Sequence, residues 1–274
     1  MLCLDKHTGW ACYENGEAFY FGAGTTKATE LYTLDQIEQK ARAKGALRLI
    51  GPVSGDTWHN YRAVTGSSGA PFFALEPDLL DPGLGLLGFS EIASYSSSIV
   101  ELEALKFGQT RQPASFAQLD WDSLDLSNFD SELESLWQLS LVAFKNNFLY
   151  QPIALAEFKA LYQPMQQYID GNYVLMVRDK GELVGCLFCF ADFLCRKKKR
   201  LVVKTIARKP GRRYGGLGET MLSMMLKKAR EDGFEEAILA LYKDDNVSSK
   251  LSERFLGRKI RSYGLFGREL SYEY

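Results

Sequence analysis

The sequence holds little histidine, an odd handful of cysteines, no long apolar run and no excess of charge of either sign. Two histidines, His7 and His59, in 274 residues leave zinc catalysis without its usual ligands, so no metal is expected. Five cysteines are an odd number in a long chain and do not make a disulfide framework. No run of about eighteen apolar residues occurs, and Met1–Tyr20 lacks the basic region, apolar stretch and small-residue cleavage site of a secretory leader. Lys+Arg number 33 against Asp+Glu 34, so no global field draws the chain to nucleic acid or anionic lipid, and any anion site must be local. These absences give the expectation of a soluble cytoplasmic protein with neither nucleic acid nor membrane as partner. Nothing in the sequence specifies an oligomeric state.

What is present is a packed core. Hydrophobic residues make up 46% and aromatics 13%, and the length suits two domains of roughly 150 residues each. The first is expected over residues 1–112 as a small α/β unit. Trp10–Tyr13 and Ala18–Phe21 flank Glu14-Asn15-Gly16-Glu17, an Asn-Gly hairpin signal. Leu34, Ile37 and Ala41 recur at helical spacing up to Gly45, and Leu47–Ile50 reads as a strand ended by Gly51-Pro52. A short helix over Thr57–Val64, a strand at Pro71–Leu75, a helix after Pro77 and a strand over Ile92–Val100 follow. Leu87-Gly88-Phe89 with Tyr95 echoes Leu256-Gly257-Arg258 with Tyr263, and Lys40-Ala41-Arg42 with Gly45 echoes Lys228-Ala229-Arg230 with Gly233. The two echoes share no common offset and read either as a degenerate duplication or as coincidence.

The polar stretch Gly108–Pro113 marks the boundary, and the second domain is expected over 113–274. Ser115–Leu119 reads as a short strand and Asp120–Asp130 as an acidic loop that supplies caps. Leu133, Leu136, Trp137, Ser140, Leu141 and Phe144 give an amphipathic helix, and a second helix near Glu157 is interrupted at Pro164. Asn172–Arg178 and Leu183–Phe193 form a hairpin across Asp179-Lys180-Gly181-Glu182. Cys186 and Cys189 stand an odd separation apart on its second strand, so their thiols face opposite sides as buried structural cysteines rather than as a redox pair. Arg196–Arg200 fill the next turn. A solvated hairpin tip is the favoured reading there, with a nucleic-acid or nuclear-localisation patch, or help in attracting an anionic cofactor, as the others.

The stretch Leu201–Lys228 carries the most chemistry. Leu201–Ala207 is a β-branched strand that Pro210 ends; Gly215, Gly216 and Gly218 follow, and an apolar stripe of Met221, Leu222, Met225, Leu226 and Ala229 makes a helix closed at Gly233. Glycines at that turn let backbone N–H groups approach a ligand while the helix points its positive end at the same spot, which suits phosphate. The spacing is neither that of a dinucleotide loop nor that of a P-loop. A tight strand-to-helix turn with no ligand is the other reading of the glycines alone. Downstream come a strand at Ala237–Tyr242, Asn246, a short helix over Val247–Leu256, Gly257, and two terminal strands at about Lys259–Tyr263 and Phe266–Tyr272.

Pro210 followed by Arg213-x-x-Gly216-x-Gly218 resembles the pyrophosphate loop of the GNAT (general control N-acetyltransferase) superfamily. The order of strand, loop, helix, strand, Asn246, short helix, Leu256-Gly257 and terminal strands is similar to that family's over about Ser115–Tyr274. The resemblance implies an α/β (α+β) acyl-CoA N-acyltransferase fold, with a mixed central sheet flanked by helices. It implies acetyl-CoA or another acyl-CoA as cosubstrate and an amine, small-molecule or peptide, as acceptor. The pyrophosphate would be held by amides of Arg213, Tyr214, Gly215, Gly216, Leu217 and Gly218, with pantetheine beside Ile206, Ala207 and Arg208 and approached by Asn246. The first domain has no such loop, so one site per chain is expected. That domain, GNAT-like in origin if the echoes are real, would pack or shape a substrate pocket.

Two departures bear on catalysis. Arg208 stands where the family commonly has an apolar residue, and Glu253 stands seven residues beyond Asn246, where many members have a tyrosine that protonates the departing thiolate. A glutamate of ordinary pKa is ionised at neutral pH and is a poor proton donor. Tyr263, Tyr242 or water are the substitutes, and Glu253 and Asp192 are the carboxylates open to the role of base. The expectation is an N-acetyltransferase working by direct attack of the amine on the thioester. The alternative is a CoA-binding sensor or structural module without turnover.

Overall fold

β-Branched and aromatic runs form strands along most of the chain, with amphipathic helices between them. The computed structural model describes residues 9–14, 17–22, 34–43, 45–54, 57–58, 60–69, 72, 88–107 and 114–270. In chain order the elements are β1 (Gly9–Glu14), β2 (Glu17–Gly22), α1 (Leu34–Ala43), β3 (Arg48–Gly51), β4 (Val53–Ser54), β5 (Asn60–Tyr61), β6 (Ala63–Ser67) and β7 (Ser90–Glu101). Then come β8 (Asp120–Ser123), α2 (Phe129–Ala143), α3 (Leu155–Tyr162), β9 (Val174–Asp179), β10 (Glu182–Ala191), β11 (Arg200–Arg208), α4 (Leu217–Glu231), β12 (Glu236–Lys243), α5 (Val247–Arg254) and β13 (Arg258–Glu269). Met1–Gly69, Leu75–Ser96 and Ile260–Tyr274 make one compact unit, and Ala70–Ala74 with Ser97–Lys259 make another.

In the first unit β1 and β2 pair as an antiparallel hairpin with Glu14 opposite Glu17. β3 pairs with β1 on one side and with β13 on the other, and β6 also pairs with β13, all antiparallel. The helix expected over Thr57–Val64 is not formed: Asn60–Tyr61 pair with Val53–Ser54, and Ala63–Ser67 lie along β13. Val64 and Thr65 are β-branched, and a neighbouring ladder satisfies their backbone better than an isolated helical turn would. The two terminal strands expected are one. β13 runs unbroken through Gly264, where a Cβ would sit 2.8 Å from Glu91 Oε2, so this glycine marks a close approach rather than a turn. The strand expected at Pro71–Leu75 and the helix after Pro77 lie outside the described residues.

In the second unit the sheet runs from the Ser97–Glu101 part of β7 through β12, β11, β10 and β9 to β8. β11 and β12 are parallel and the other pairs from β8 to β11 antiparallel, so the sheet is mixed. The hairpin between β9 and β10 turns at Lys180 and Gly181, both at positive φ, as its Asp-Lys-Gly-Glu sequence suggests. The short strand expected at Ser115–Leu119 is instead a single 3-10 turn, Ala114–Phe116, and pairing starts at Asp120. Helix α4 supplies the crossover that a parallel pair requires. Its stripe of Leu217, Met221, Leu222, Met225, Leu226 and Ala229 packs on the face of the sheet that carries Val177, Leu187, Cys189, Leu201 and Val203. The next residue along β9, Arg178, therefore faces the other side, where its guanidinium meets Glu132 of α2 at 2.6 Å.

Candidate active site

The parallel ladder between β11 and β12 covers only Arg200–Val203 against Glu236–Leu239. Beyond Val203 the strands part, although β11 continues to Arg208 and β12 to Lys243. β11 keeps its antiparallel pairing with β10 up to Arg208, so only its β12 side is left open. The departure coincides with a bulge: Phe188 stands opposite Thr205 and Cys189 opposite Val203, which leaves Lys204 as the extra residue. A row of unpaired backbone groups in a gap between two strands can take an extended, amide-bearing ligand as an added strand takes a sheet edge.

The open end of that gap leads to the glycine turn. Arg212–Tyr214 form one 3-10 turn, and Gly216 is the N-cap of α4 at φ 83°, a left-handed conformation that favours glycine. Gly218 sits over the strand, where a Cβ would come 3.3 Å from Ile206 Cγ2, so Ile206 and the first turn of α4 are in van der Waals register. No side chain caps α4, and the first backbone bond runs from Thr220 N–H to Gly216 O. The amides of Leu217, Gly218 and Glu219 are thus left for an anion at the positive end of a fifteen-residue helix. That donor set fits a pyrophosphate.

The turn is held from the side. Asp179 Oδ2 accepts the Tyr214 hydroxyl at 2.8 Å and meets Arg213 Nη2 at 2.6 Å. Burial, then the bond to Asp179, pushes the Tyr214 pKa up. Arg208 donates to the Lys209 carbonyl at 3.2 Å, and Lys209 pairs with Glu182 at 2.6 Å. Arg254 of α5 pairs with Glu219, so the acid in the first turn of α4 is matched by a cation.

Ile206, Ala207 and Arg208 stand on the stretch of β11 whose β12 side is open, before the turn that contains Arg213, Tyr214, Gly215, Gly216, Leu217 and Gly218. Asn246 caps α5: its Oδ1 accepts from Ser248 N–H at 2.8 Å and Ser249 N–H at 3.3 Å, leaving its amide NH2 as the group that can turn to a ligand. Glu253 is exposed on α5, and among the described residues its carboxylate has no ion-pair partner. Asp192 is far from both. Its side chain is 0% exposed, pairs with Arg200 at 2.7 Å and accepts from Leu194 N–H at 3.1 Å. Arg200 begins the strand that Arg208 ends, so at about 3.3 Å per residue Asp192 lies roughly 26 Å from the glycine turn. Tyr263 is 1% exposed in the first unit, beside Arg62, whose guanidinium carbon is 5.9 Å from its ring.

Tyr242, named in the sequence as a substitute donor, meets two hydroxyls that the sequence did not single out. Tyr242 donates to Ser252 Oγ at 3.2 Å and shares a short bond with Ser98 Oγ. Asp179 was also missed as a site residue, since 35 residues separate it from Tyr214. Ser98 lies in a run of three serines, all buried, and no local sequence signal sets it or Ser252 apart.

The fold is of the acyl-CoA N-acyltransferase type: a mixed sheet whose parallel strands part beside the free amides of a crossover helix. Residues 133–257 match the model of the acetyltransferase (GNAT) family. No curated protein matches the chain. Among solved structures, the GCN5-related N-acetyltransferase from Sphaerobacter thermophilus is similar at 13% identity and a TM-score of 0.51, over 70% of this chain and 56% of that one. A GCN5-related glucosamine N-acetyltransferase region of a fungal multi-domain GH3 β-N-acetylglucosaminidase gives 13% identity and 0.49, over 67% and 22%. A tandem GNAT protein from the clavulanic acid biosynthesis pathway gives 13% and 0.48, over 86% and 68%. The chain spans little more than half of the Sphaerobacter thermophilus protein, and at 13% identity that likeness is one of fold. No helix among the described residues is long and apolar enough to cross a membrane.

Proposed function

We propose that the chain is an acyl-CoA-dependent N-acyltransferase that moves an acetyl group from acetyl-CoA to the amine of a small molecule or peptide. The observation that carries this reading is the parting of β11 and β12 after Val203 and Leu239, with the uncapped amides of Leu217–Glu219 at its open end. Those amides would hold the pyrophosphate. The free edge at Ile206, Ala207 and Arg208 would take the pantetheine arm, helped by the amide of Asn246. Acetyl-CoA supplies an activated thioester carbonyl.

The residues then have two tasks. An amine is mostly ammonium at neutral pH, so its proton must leave before nitrogen attacks, and the free N–H groups at the end of β11 near Arg208 are suited to the developing oxyanion. The leaving thiolate needs a proton. Tyr242 is the donor in this reading, because it stands on β12 three residues past the parting with its hydroxyl held in a hydrogen-bonded chain, whereas Glu253 faces solvent. Asp192, enclosed by Arg200, is not available as a base, and Glu253 faces solvent, so water takes the amine's proton in this reading.

A CoA-binding sensor without turnover is the second reading, favoured by the exposed Glu253 at the position where the family's tyrosine is common. Calorimetry with acetyl-CoA tests both readings, and an absence of binding at millimolar cofactor would sink them together. Thiol release with a panel of amines, polyamines, amino acids and peptides separates them: turnover with any acceptor supports the transferase, and tight binding with none across the panel supports the sensor.

A further inference from the structure

Asp179 ends β9 at the turn into β10, and its side chain is 6% exposed. One of its oxygens, Oδ2, takes both the Tyr214 hydroxyl and the Arg213 guanidinium; the other, Oδ1, is buried with no hydrogen-bond partner among the described residues. Both partners lie on the same 3-10 turn, Arg212–Tyr214, which runs straight into Gly215 and the left-handed Gly216. Tyr214 is buried, whereas Arg213 is 54% exposed and reaches inward to the carboxylate.

A buried carboxylate beside a pyrophosphate site is unfavourable on two counts. It repels the phosphate, and half of it goes unpaired away from water. Its contribution is geometric. A single oxygen bonded from two side chains of a three-residue turn fixes that turn, and with it the backbone angles from which the amides of Leu217, Gly218 and Glu219 are aimed. Without it the turn would keep the burial of the Tyr214 ring in the core and the bond from Gly215 N–H to Arg212 O at 3.0 Å, neither of which fixes the Arg213 side.

We propose that Asp179 is a positioning residue for the acyl donor, presetting the Arg213–Gly216 turn so that the amides at the start of α4 are ready for a pyrophosphate. The proposal rests on the reading of this site as an acyl-CoA site. It opposes simple electrostatics, under which removing a carboxylate near the phosphates would tighten binding.

Calorimetric titration of the full chain with acetyl-CoA and with S-acetylpantetheine, which has the thioester and no pyrophosphate, decides the matter. Asp179→Asn is expected to weaken acetyl-CoA by about tenfold, as for loss of a charge-assisted hydrogen bond, and to leave S-acetylpantetheine unchanged. Tyr214→Phe, which removes one of the two bonds and keeps the carboxylate, should weaken acetyl-CoA in the same direction by less. Glu157→Gln removes an exposed carboxylate of α3, outside the turn and its supports, and should change neither ligand. Unchanged or tighter acetyl-CoA binding by Asp179→Asn overturns the proposal, and so does an equal loss for both ligands, which would mean a general structural role. Wild-type protein that binds no acetyl-CoA would remove the site reading itself, a result distinguishable from normal binding that the variants leave untouched.

Discussion

Tyr242 donates its hydroxyl hydrogen to Ser252 Oγ across 3.2 Å, linking β12 to α5 one residue before Glu253. On a helix a step of one residue turns the side chain by about 100°, so Ser252 is buried while Glu253 faces solvent. The proton-donating group on offer in this part of the site is therefore on the strand, and Ser98 on its other side completes a chain of hydroxyls able to pass a proton along.

Tyr242→Phe is accordingly expected to lower kcat on the order of a hundredfold with KM for acetyl-CoA little changed, as for loss of a general acid. It should also cost about 1 kcal/mol of stability, because Ser98 and Ser252 lose a partner. Glu253→Gln should leave kcat intact. Steady-state kinetics on both variants, with urea melts, check the pair of outcomes; a large loss in Glu253→Gln with none in Tyr242→Phe would return the proton transfer to the helix.

Gly216→Ala tests the turn itself. Nothing lies within 4 Å of the added Cβ, so the whole effect comes from φ 83°. Left-handed backbone costs a residue with a side chain roughly 1–2 kcal/mol, and relief of that strain would turn the first amides of α4 away from the site. Thermal melting should show the stability loss, and calorimetry a weaker acetyl-CoA affinity than wild type.

Asp192→Ala bears on the carboxylate that the sequence offered as a base. Arg200 is 10% exposed, and after the substitution its nearest remaining acid is Glu236, at 3.7 Å. Leaving a buried guanidinium short of its close partner costs on the order of 3 kcal/mol. Chemical denaturation should show this loss, while the variant that remains folded keeps its rate constant per active site. A folded, stable and inactive Asp192→Ala protein would contradict the structural role.

The parts of the site written in local sequence were legible in it. The glycine turn, the Lys180-Gly181 hairpin and the α4 stripe each follow from a few adjacent residues whose backbone needs are distinctive, whereas the cap that Asn246 makes on α5 came only from the structure. The parting of β11 and β12 was not legible, because a bulge at Lys204 depends on which residues two other strands present. Asp179 escaped notice for the same reason: its meaning lies in Tyr214 and Arg213, which only the folded hairpin brings to it. The Thr57–Val64 region shows the opposite failure, where an expected short helix was overruled by available strand partners.

Cys186 gives a prediction that depends on pH. Burial in β10, with Glu132 nearby, pushes its thiol up to about 12 from an ordinary 9. The folded state therefore holds this proton where the unfolded chain releases it, so between about pH 9 and 12 the native form binds more protons and its stability falls as pH rises, by up to about 1.4 kcal/mol per unit for one such group. Below pH 9 both states keep the proton and the contribution is flat. Cys189, buried on the opposite face, is shifted the same way by the same desolvation and steepens the slope. Urea melts from pH 7 to 11 should show the decline beginning near 9, and Cys186→Ala should reduce it. Alkylation at pH 8 followed by peptide mass analysis should mark the partly exposed Cys195 in native protein and reach Cys186 and Cys189 only after unfolding. Rapid native labelling of Cys186 would show that the sheet face beneath α2 is open to solvent.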